Sequence, residues 1–146
     1  MRTKTAQWFE TVVKYDAMQE DGMLKPINQI NAVEAMSFTE AEAKISEEVV
    51  CYANGEYAIK KIAIAPYREV VFSNDPSHDR WYRVKVSFIT IDERSEKEKR
   101  QNVTYLIQAK SVETARMQTD RLLSDGMQDY SIVSITETNI EDVYEK

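Results

Sequence analysis

The sequence contains few side chains whose type and spacing could support chemistry. His78 is the only histidine, and it lies in the polar stretch 73–79 with no cysteine or second histidine nearby. A histidine-based metal site or a hydroxyl–histidine nucleophile would have to use it, because both need an imidazole beside a second reactive group. We expect His78 to be a solvated linker residue. The sequence therefore predicts no catalytic residue, no metal site and no cofactor, and we expect that the protein is not an enzyme.

The carboxylates, glycines and cysteine also lack the patterns that catalysis or phosphate binding requires. The acidic residues of 92–101 are interleaved with lysines and arginines, which indicates a solvated loop. Gly22, Gly55 and Gly126 are isolated, so there is no glycine-rich phosphate loop and no dinucleotide fingerprint. Cys51 is the single cysteine and lies in an apolar run, which predicts a buried structural thiol in a reducing compartment.

Two tryptophans at equivalent places in the chain are the side chains most suggestive of a binding surface. The strand that contains Trp81 alternates in polarity, which places Arg83 and Lys85 on the same face. Trp8 shares the corresponding face of the first strand with Glu10. Aromatic and basic side chains on an open sheet can stack bases and hold phosphates. We expect instead that these faces are buried against each other or a second subunit, because the chain is acidic and Glu10 stands where the other copy has Arg83.

Composition narrows the class of protein further. The chain has 146 residues, 42% of them hydrophobic, which is enough for a packed core. Its net charge of -6 disfavours non-specific contact with a phosphate backbone. The first residues lack the apolar segment of a signal peptide, and no run approaches the roughly 18 apolar residues of a membrane span. We therefore expect a cytoplasmic protein without membrane association.

The elements that would position these side chains occur twice, at an offset of 73 or 74 residues. Each copy predicts a hairpin, a capped helix and a third strand. The matched residues include Trp8 with Trp81, Val33 with Ile107, Ser37 with Ser111, Tyr57 with Tyr130, and Val70 with Val143. In the first copy the predicted strands are 7–15, 30–36 and 57–64, and a capping box over 37–40 opens the helix, which Asn54-Gly55 ends. In the second copy the strands are 80–91, 103–109 and 130–136, with a helix between Ser111 and Asp125-Gly126.

The predicted fold class is α+β, with two tandem β-β-α-β repeats at 1–73 and 79–146 packed together as one compact unit. Each repeat should form an antiparallel sheet in the order two-one-three with one helix on a face. A unit this small buries too little surface alone, so the copies should pack together as one extended sheet or as two facing layers. Exchange of strands between the halves through 64–72 is a third arrangement, because Pro66 separates the extended segment 67–72 from the strand before it.

Three segments resemble a known but uncharacterised family: WFETVVKY at 8–15, AMSFTEAEAK at 35–44 and WYRVKVSFITIDE at 81–93. They are similar to a domain-of-unknown-function family from Bacteroides-like genomes and from their phages or mobile elements. The resemblance covers nearly the whole chain. It implies a small cytosolic accessory protein, and it brings no activity and no catalytic residues.

Two classes of function follow from these observations. The first is a non-catalytic protein-interaction or assembly module, with Trp8, Trp81, Arg83 and Lys85 as the candidate interaction surface. Extended segments such as 67–72 could also add a strand to a partner sheet. The alternative is single-stranded nucleic-acid binding through the open sheet face around Trp81. A protein partner or self-association is expected ahead of nucleic acid.

Overall fold

The computed structural model describes residues 6–53 and 55–146, and over these residues the fold class is α+β, as the sequence predicts. The described chain contains two helices and two four-stranded sheets. In chain order the elements are β1 (Gln7–Met18), β2 (Leu24–Ala35), α1 (Phe38–Val50), β3 (Tyr57–Ala65), β4 (Tyr67–Val71), β5 (Arg80–Ile91), β6 (Glu98–Ala109), α2 (Val112–Leu123), β7 (Asp129–Glu137) and β8 (Ile140–Tyr144).

The first compact unit contains the described residues up to Pro66 and the segment Asn139–Lys146. Its strand order is β3-β1-β2-β8, in which β1 is antiparallel to β2 and β3, and β8 is parallel to β2. Alternate residues of β1 face α1, because successive side chains of a strand point to opposite faces. Phe9 packs in a cluster with Ala41, and Val13 packs in a cluster with Ile45.

The second unit is the segment Tyr67–Thr138, with the strand order β4-β6-β5-β7. Here β5 is antiparallel to β6 and β7, and β4 is parallel to β6. Its core joins the alternate residues Val84 and Val86 of β5 to Ile107 of β6 and Ala115 of α2. Each unit therefore has the predicted two-one-three order, with an additional short strand beside its second strand.

The additional strands do not come from the neighbouring sequence. The strand β4 follows β3 across Pro66 but pairs with β6 of the second unit. The strand β8 follows β7 but pairs with β2 of the first unit. Strand exchange through 64–72, one of the arrangements that the sequence left open, thus occurs at β4. The strand β8 makes a reciprocal exchange that the sequence did not predict. The limits of the compact units consequently differ from the contiguous halves 1–73 and 79–146.

Both helices begin at a serine that caps the first turn. The Ser37 Oγ accepts the Glu40 amide at 3.1 Å, and the Ser111 Oγ accepts the Thr114 amide at 3.1 Å. Each bond satisfies one of the amide groups that have no partner inside a helix. The sequence therefore predicts both helix starts correctly.

The prediction for Cys51 was wrong, because its side chain is exposed. Cys51 is the C-cap residue of α1, and helical periodicity turns only one residue of the apolar run 49–52 fully into the core. Val49 is buried, whereas the next residue, Val50, is 63% exposed. An apolar run at a helix end is thus not a measure of burial.

An equivalent bulge interrupts each of the strands β3 and β7. The neighbouring β1 residues Val12 and Val13 pair with Lys61 and Ile59 of β3, which leaves Lys60 as an extra residue between them. In the same way the partners of β5 change from Ser134 to Ile132, which leaves Val133 as the extra residue. A bulge shifts the alternation of side chains by one position. Lys60 and Val133 therefore occupy equivalent places on the two strands.

Candidate interaction surfaces

The two tryptophans lie on the strand faces opposite the helices, as the alternation predicts, but Trp81 is buried. Trp81 is 4% exposed, and its ring meets Phe72 edge to face with centroids 5.3 Å apart. Ser87, on the same face of β5, is also buried. Trp8 belongs to the other unit and is half-buried. In this conformation the Trp81 ring is not accessible to a stacked base, because stacking requires one open ring face.

The two cations of the predicted surface remain accessible. Arg83 and Lys85 are exposed on β5. The Arg83 guanidinium donates to the Tyr67 hydroxyl at 3.4 Å, so β4 helps to position it. Arg83 and Lys85 thus offer positive charge on a strand face on which the Trp81 ring is buried.

His78 is not the solvated residue that the sequence predicts, because its side chain is only 10% exposed. The Ser73 Oγ lies 2.6 Å from its Nδ1, and the Asp75 Oδ2 lies 3.5 Å from its Nε2. These groups line a cavity of about 710 Å³ beside α2, which Lys110 and Arg121 also border. The sequence does not indicate this cluster, because a short polar stretch between strands is typical of a solvated linker.

The bonds of this cluster have a structural role within the loop. The Ser73 hydroxyl also accepts the Asp75 amide at 3.2 Å, and the Asp75 carboxylate accepts the Ser77 amide at 2.9 Å and the Ser77 hydroxyl at 2.8 Å. The Ser77 amide lowers the pKa of the Asp75 carboxyl, because it bonds to the charged form. Side chains that bond to nearby amides fold a turn. A spacing of polar residues at 73, 75 and 77 is the sequence signal that could have revealed it.

A groove of about 730 Å³ lies between α2 and β7. One wall presents Val112 and Arg116 from α2, and the other presents Val133 from β7. Val112 and Val133 are 52% and 53% exposed. The Tyr130 hydroxyl donates to the Asp120 Oδ1 at 2.8 Å, and this bond joins β7 to α2 within the lining of the groove. The same bond raises the pKa of Tyr130, because it stabilises the protonated hydroxyl. The groove thus combines exposed apolar side chains with one cation, Arg116, and one carboxylate that accepts a tyrosine hydroxyl.

The four outer strands of the two sheets differ in how they discourage pairing with another chain. The strands β4 and β8 have only five residues each. The strand β3 carries the exposed pair Lys60 and Lys61. At the places that match these lysines at an offset of 73 residues, β7 has Val133 and Ser134. Short length and edge lysines are known protections against strand addition, and β7 has neither.

Large exposed apolar side chains gather at the ends of the long hairpins. In the first unit Met18, Met23 and Leu24 are 65%, 68% and 50% exposed. In the second unit Ile91 ends the first strand of the β5–β6 hairpin, and Met127 lies beside this hairpin end in the loop between α2 and β7. They are 72% and 103% exposed, and both border a shallow depression. Single exposed apolar residues are ordinary on a protein surface, whereas groups of them mark binding sites. The hairpin ends are therefore candidate binding surfaces.

A cluster of tyrosines holds β8 on the first unit. The Tyr52 hydroxyl donates to the Gln29 Oε1 at 2.6 Å, and the Tyr15 ring meets the Tyr52 ring edge to face at 5.3 Å. Tyr144 of β8 packs against the same core cluster. Its pKa is raised by burial and by the nearby Asp142 carboxylate. These residues fix the exchanged strand rather than form a ligand site.

The fold and these surfaces define an α+β protein of two units, each with a helix on one sheet face. None of the helices in the described ranges 6–53 and 55–146 has the length and apolar character needed to cross a membrane. The chain belongs to the family described as Domain of unknown function (DUF4494), whose profile matches residues 7–146. A comparison with curated proteins and a comparison with solved structures each gave no match.

Proposed function

We propose that this protein is a non-catalytic interaction or assembly module that binds another protein in the cytoplasm. The observation that carries the proposal is the exposed apolar surface at the hairpin ends, centred on Met23 and Leu24 in one unit and on Ile91 and Met127 in the other. Methionine suits such surfaces because its flexible thioether adapts to different partners. A phage or mobile-element origin, which the sequence resemblance implies, is part of the same proposal.

The absence of catalysis is also part of the proposal. It is supported by the bonds around His78, in which the Ser73 hydroxyl already accepts a backbone amide and the Asp75 carboxylate already accepts two donors. These bonds fold the loop and so give the polar cluster a structural role.

Site-specific photocrosslinking in the native cells tests the proposal. A photoreactive amino acid at Met23 or Met127 should give adducts of defined mass, and the same group at Glu42, an exposed residue of α1, should not. Mass spectrometry identifies the adducts, and light scattering on the purified protein separates self-association from a foreign partner. Strictly monomeric protein without adducts at either hairpin end would remove the support for this function.

We propose in addition that the two halves are tandem copies of one unit. Both copies run β-β-α-β-β, and both cap the helix with a serine, Ser37 or Ser111. In both, the strand after the helix carries a bulge, at Lys60 in β3 and at Val133 in β7. Independent origins would have to reproduce each of these details. A duplicated scaffold with diverged surfaces fits an assembly module, since each copy can hold a different neighbour.

A second candidate function is single-stranded nucleic-acid binding through Arg83 and Lys85. It is favoured by their exposure on one strand face beside Trp81. Binding would depend on phosphate contacts and so would weaken steeply with salt. Fluorescence anisotropy with a labelled oligonucleotide at low salt tests it, with Arg83→Glu/Lys85→Glu as the charge-reversed variant. No binding at micromolar protein would reject this candidate.

A further inference from the structure

We infer that the outer edge of β7 binds an extended segment of a partner protein, which adds to the second sheet as a fifth strand. The strand β7 pairs with β5 on one side, and no strand of the described chain pairs with its other side. Its outward amides and carbonyls are therefore available to an incoming backbone. This inference rests on the proposed protein-binding function and assigns it a surface and a kind of partner.

The comparison with β3 identifies β7 as the edge that accepts a strand. Both strands have nine residues and the same bulge. The bulge residue is Lys60 in β3, where a strand arriving at the edge would have to desolvate a charge. It is Val133 in β7, where the same strand would cover a half-exposed apolar side chain. Edge lysines oppose strand addition, and an uncharged apolar edge permits it.

The groove beside β7 indicates the chemistry of the incoming segment. Alternate side chains of an added strand would point into the groove, because a strand repeats every two residues. An apolar side chain fits beside Val112 and Val133, and an acidic side chain or a carboxyl terminus fits opposite the Arg116 guanidinium. Tyr130 and Asp120 are already bonded to each other. The partner segment is thus extended, apolar at alternate positions and acidic at one of them.

A second copy of this chain is a poorer occupant of the same edge. If two β7 strands paired antiparallel about their bulge residue, Asp129 of one copy would lie opposite Glu137 of the other at both ends of the ladder. Like charges directly opposite each other destabilise a strand pair. The charge pattern therefore favours a foreign segment over self-pairing.

The test uses a library of ten-residue peptides displayed on phage and selected on the full-length protein, followed by fluorescence anisotropy with the enriched peptide. The edge variant is Val133→Lys, which gives the bulge of β7 the residue type that the bulge of β3 has at Lys60. The matched control is Lys61→Ala on β3. We expect Val133→Lys to weaken binding roughly tenfold or more, because it restores an edge protection, while the control binds like the wild type. We expect Arg116→Glu to reduce the affinity for acidic peptides by a similar factor.

Backbone methylation of the selected peptide separates strand addition from other modes of binding. Because only every second amide of an added strand faces β7, methylation should abolish binding at alternate positions and be tolerated between them. Binding that is equal for wild type and Val133→Lys, or that lacks this alternation, would overturn the edge proposal while leaving a protein-binding function in place. Selection that enriches no peptide would also overturn it, and the crosslinking at the hairpin ends would then decide the proposed function separately.

Discussion

Replacing Ile140 by alanine should destabilise the first unit, although residue 140 follows the second unit in the chain. Ile140 is 6% exposed in β8, where it pairs with Ile30 of β2. The substitution removes three carbon groups, each worth about 0.8 kcal/mol when buried, and so about 2.4 kcal/mol of transfer free energy. A residual cavity adds to this loss, so the free energy of unfolding should fall by about 2–4 kcal/mol.

Hydrogen exchange resolved by residue locates the effect. In Ile140→Ala the amides of β1, β2 and β3 should exchange faster, and those of β5, β6 and β7 should keep their protection. The reciprocal control is Val71→Ala in β4, because Val71 packs against the core of the second unit. Val71 is partly buried, so loss of its two carbon groups should cost at most about 1.6 kcal/mol and should accelerate exchange in the second unit.

The opposite pattern would refute the exchanged strands. If the two units were contiguous halves of the chain, Ile140→Ala would expose the amides of β5–β7 and Val71→Ala would expose those of β1–β3. Equal acceleration in both units for both variants would instead show that the units unfold as one, and this result would also contradict the prediction.

Three further predictions concern the caps, the tyrosines and the tryptophans. Ser37→Ala should lower the free energy of unfolding by about 1 kcal/mol in urea titrations, because one amide of α1 loses its acceptor. Burial raises the pKa of Tyr144, so the folded state holds the hydroxyl proton more tightly than the unfolded state does. The free energy of unfolding should therefore fall as the pH rises above about 10, and the tyrosinate absorbance of Tyr144, measured as the difference from Tyr144→Phe, should appear at a higher pH than that of a free tyrosine. In Trp8→Phe the remaining Trp81 fluorescence should resist quenching by iodide, and adding Phe72→Ala should make it quenchable.

Local patterns in the sequence predict most of the elements, because those patterns depend on neighbouring residues alone. The strand at 80–91 is observed as Arg80–Ile91, and the helix expected from Ser111 is observed as Val112–Leu123. The hairpin strands are longer than predicted. The strand β2 begins at Leu24 and β6 at Glu98, since ladder hydrogen bonds extend through polar residues that show no alternation.

The remaining features depend on contacts between distant residues, which periodicity does not contain. The strand β8 was not predicted, because IEDVY has only five residues and its apolar positions do not alternate. Its place beside β2 uses a long-range bond from the Asp142 amide to the Asn31 Oδ1 at 3.2 Å. The burial of Trp81 depends on Phe72, which lies in another segment. Of the candidate surface, the sequence predicts the strand faces but not which side chains stay exposed.

The exchanged strands reverse the order in which the units can be completed during synthesis. The second unit has all of its strands once residue 137 has left the ribosome, because β4 to β7 are consecutive. The first unit starts at β1 but must wait for β8, residues 140–144, before its sheet is complete. Until then the outer edge of β2 stays open on the nascent chain. The unit that is translated first is therefore the one whose sheet is completed last. A ribosome pause near the codons for β8 would prolong the exposure of the β2 edge.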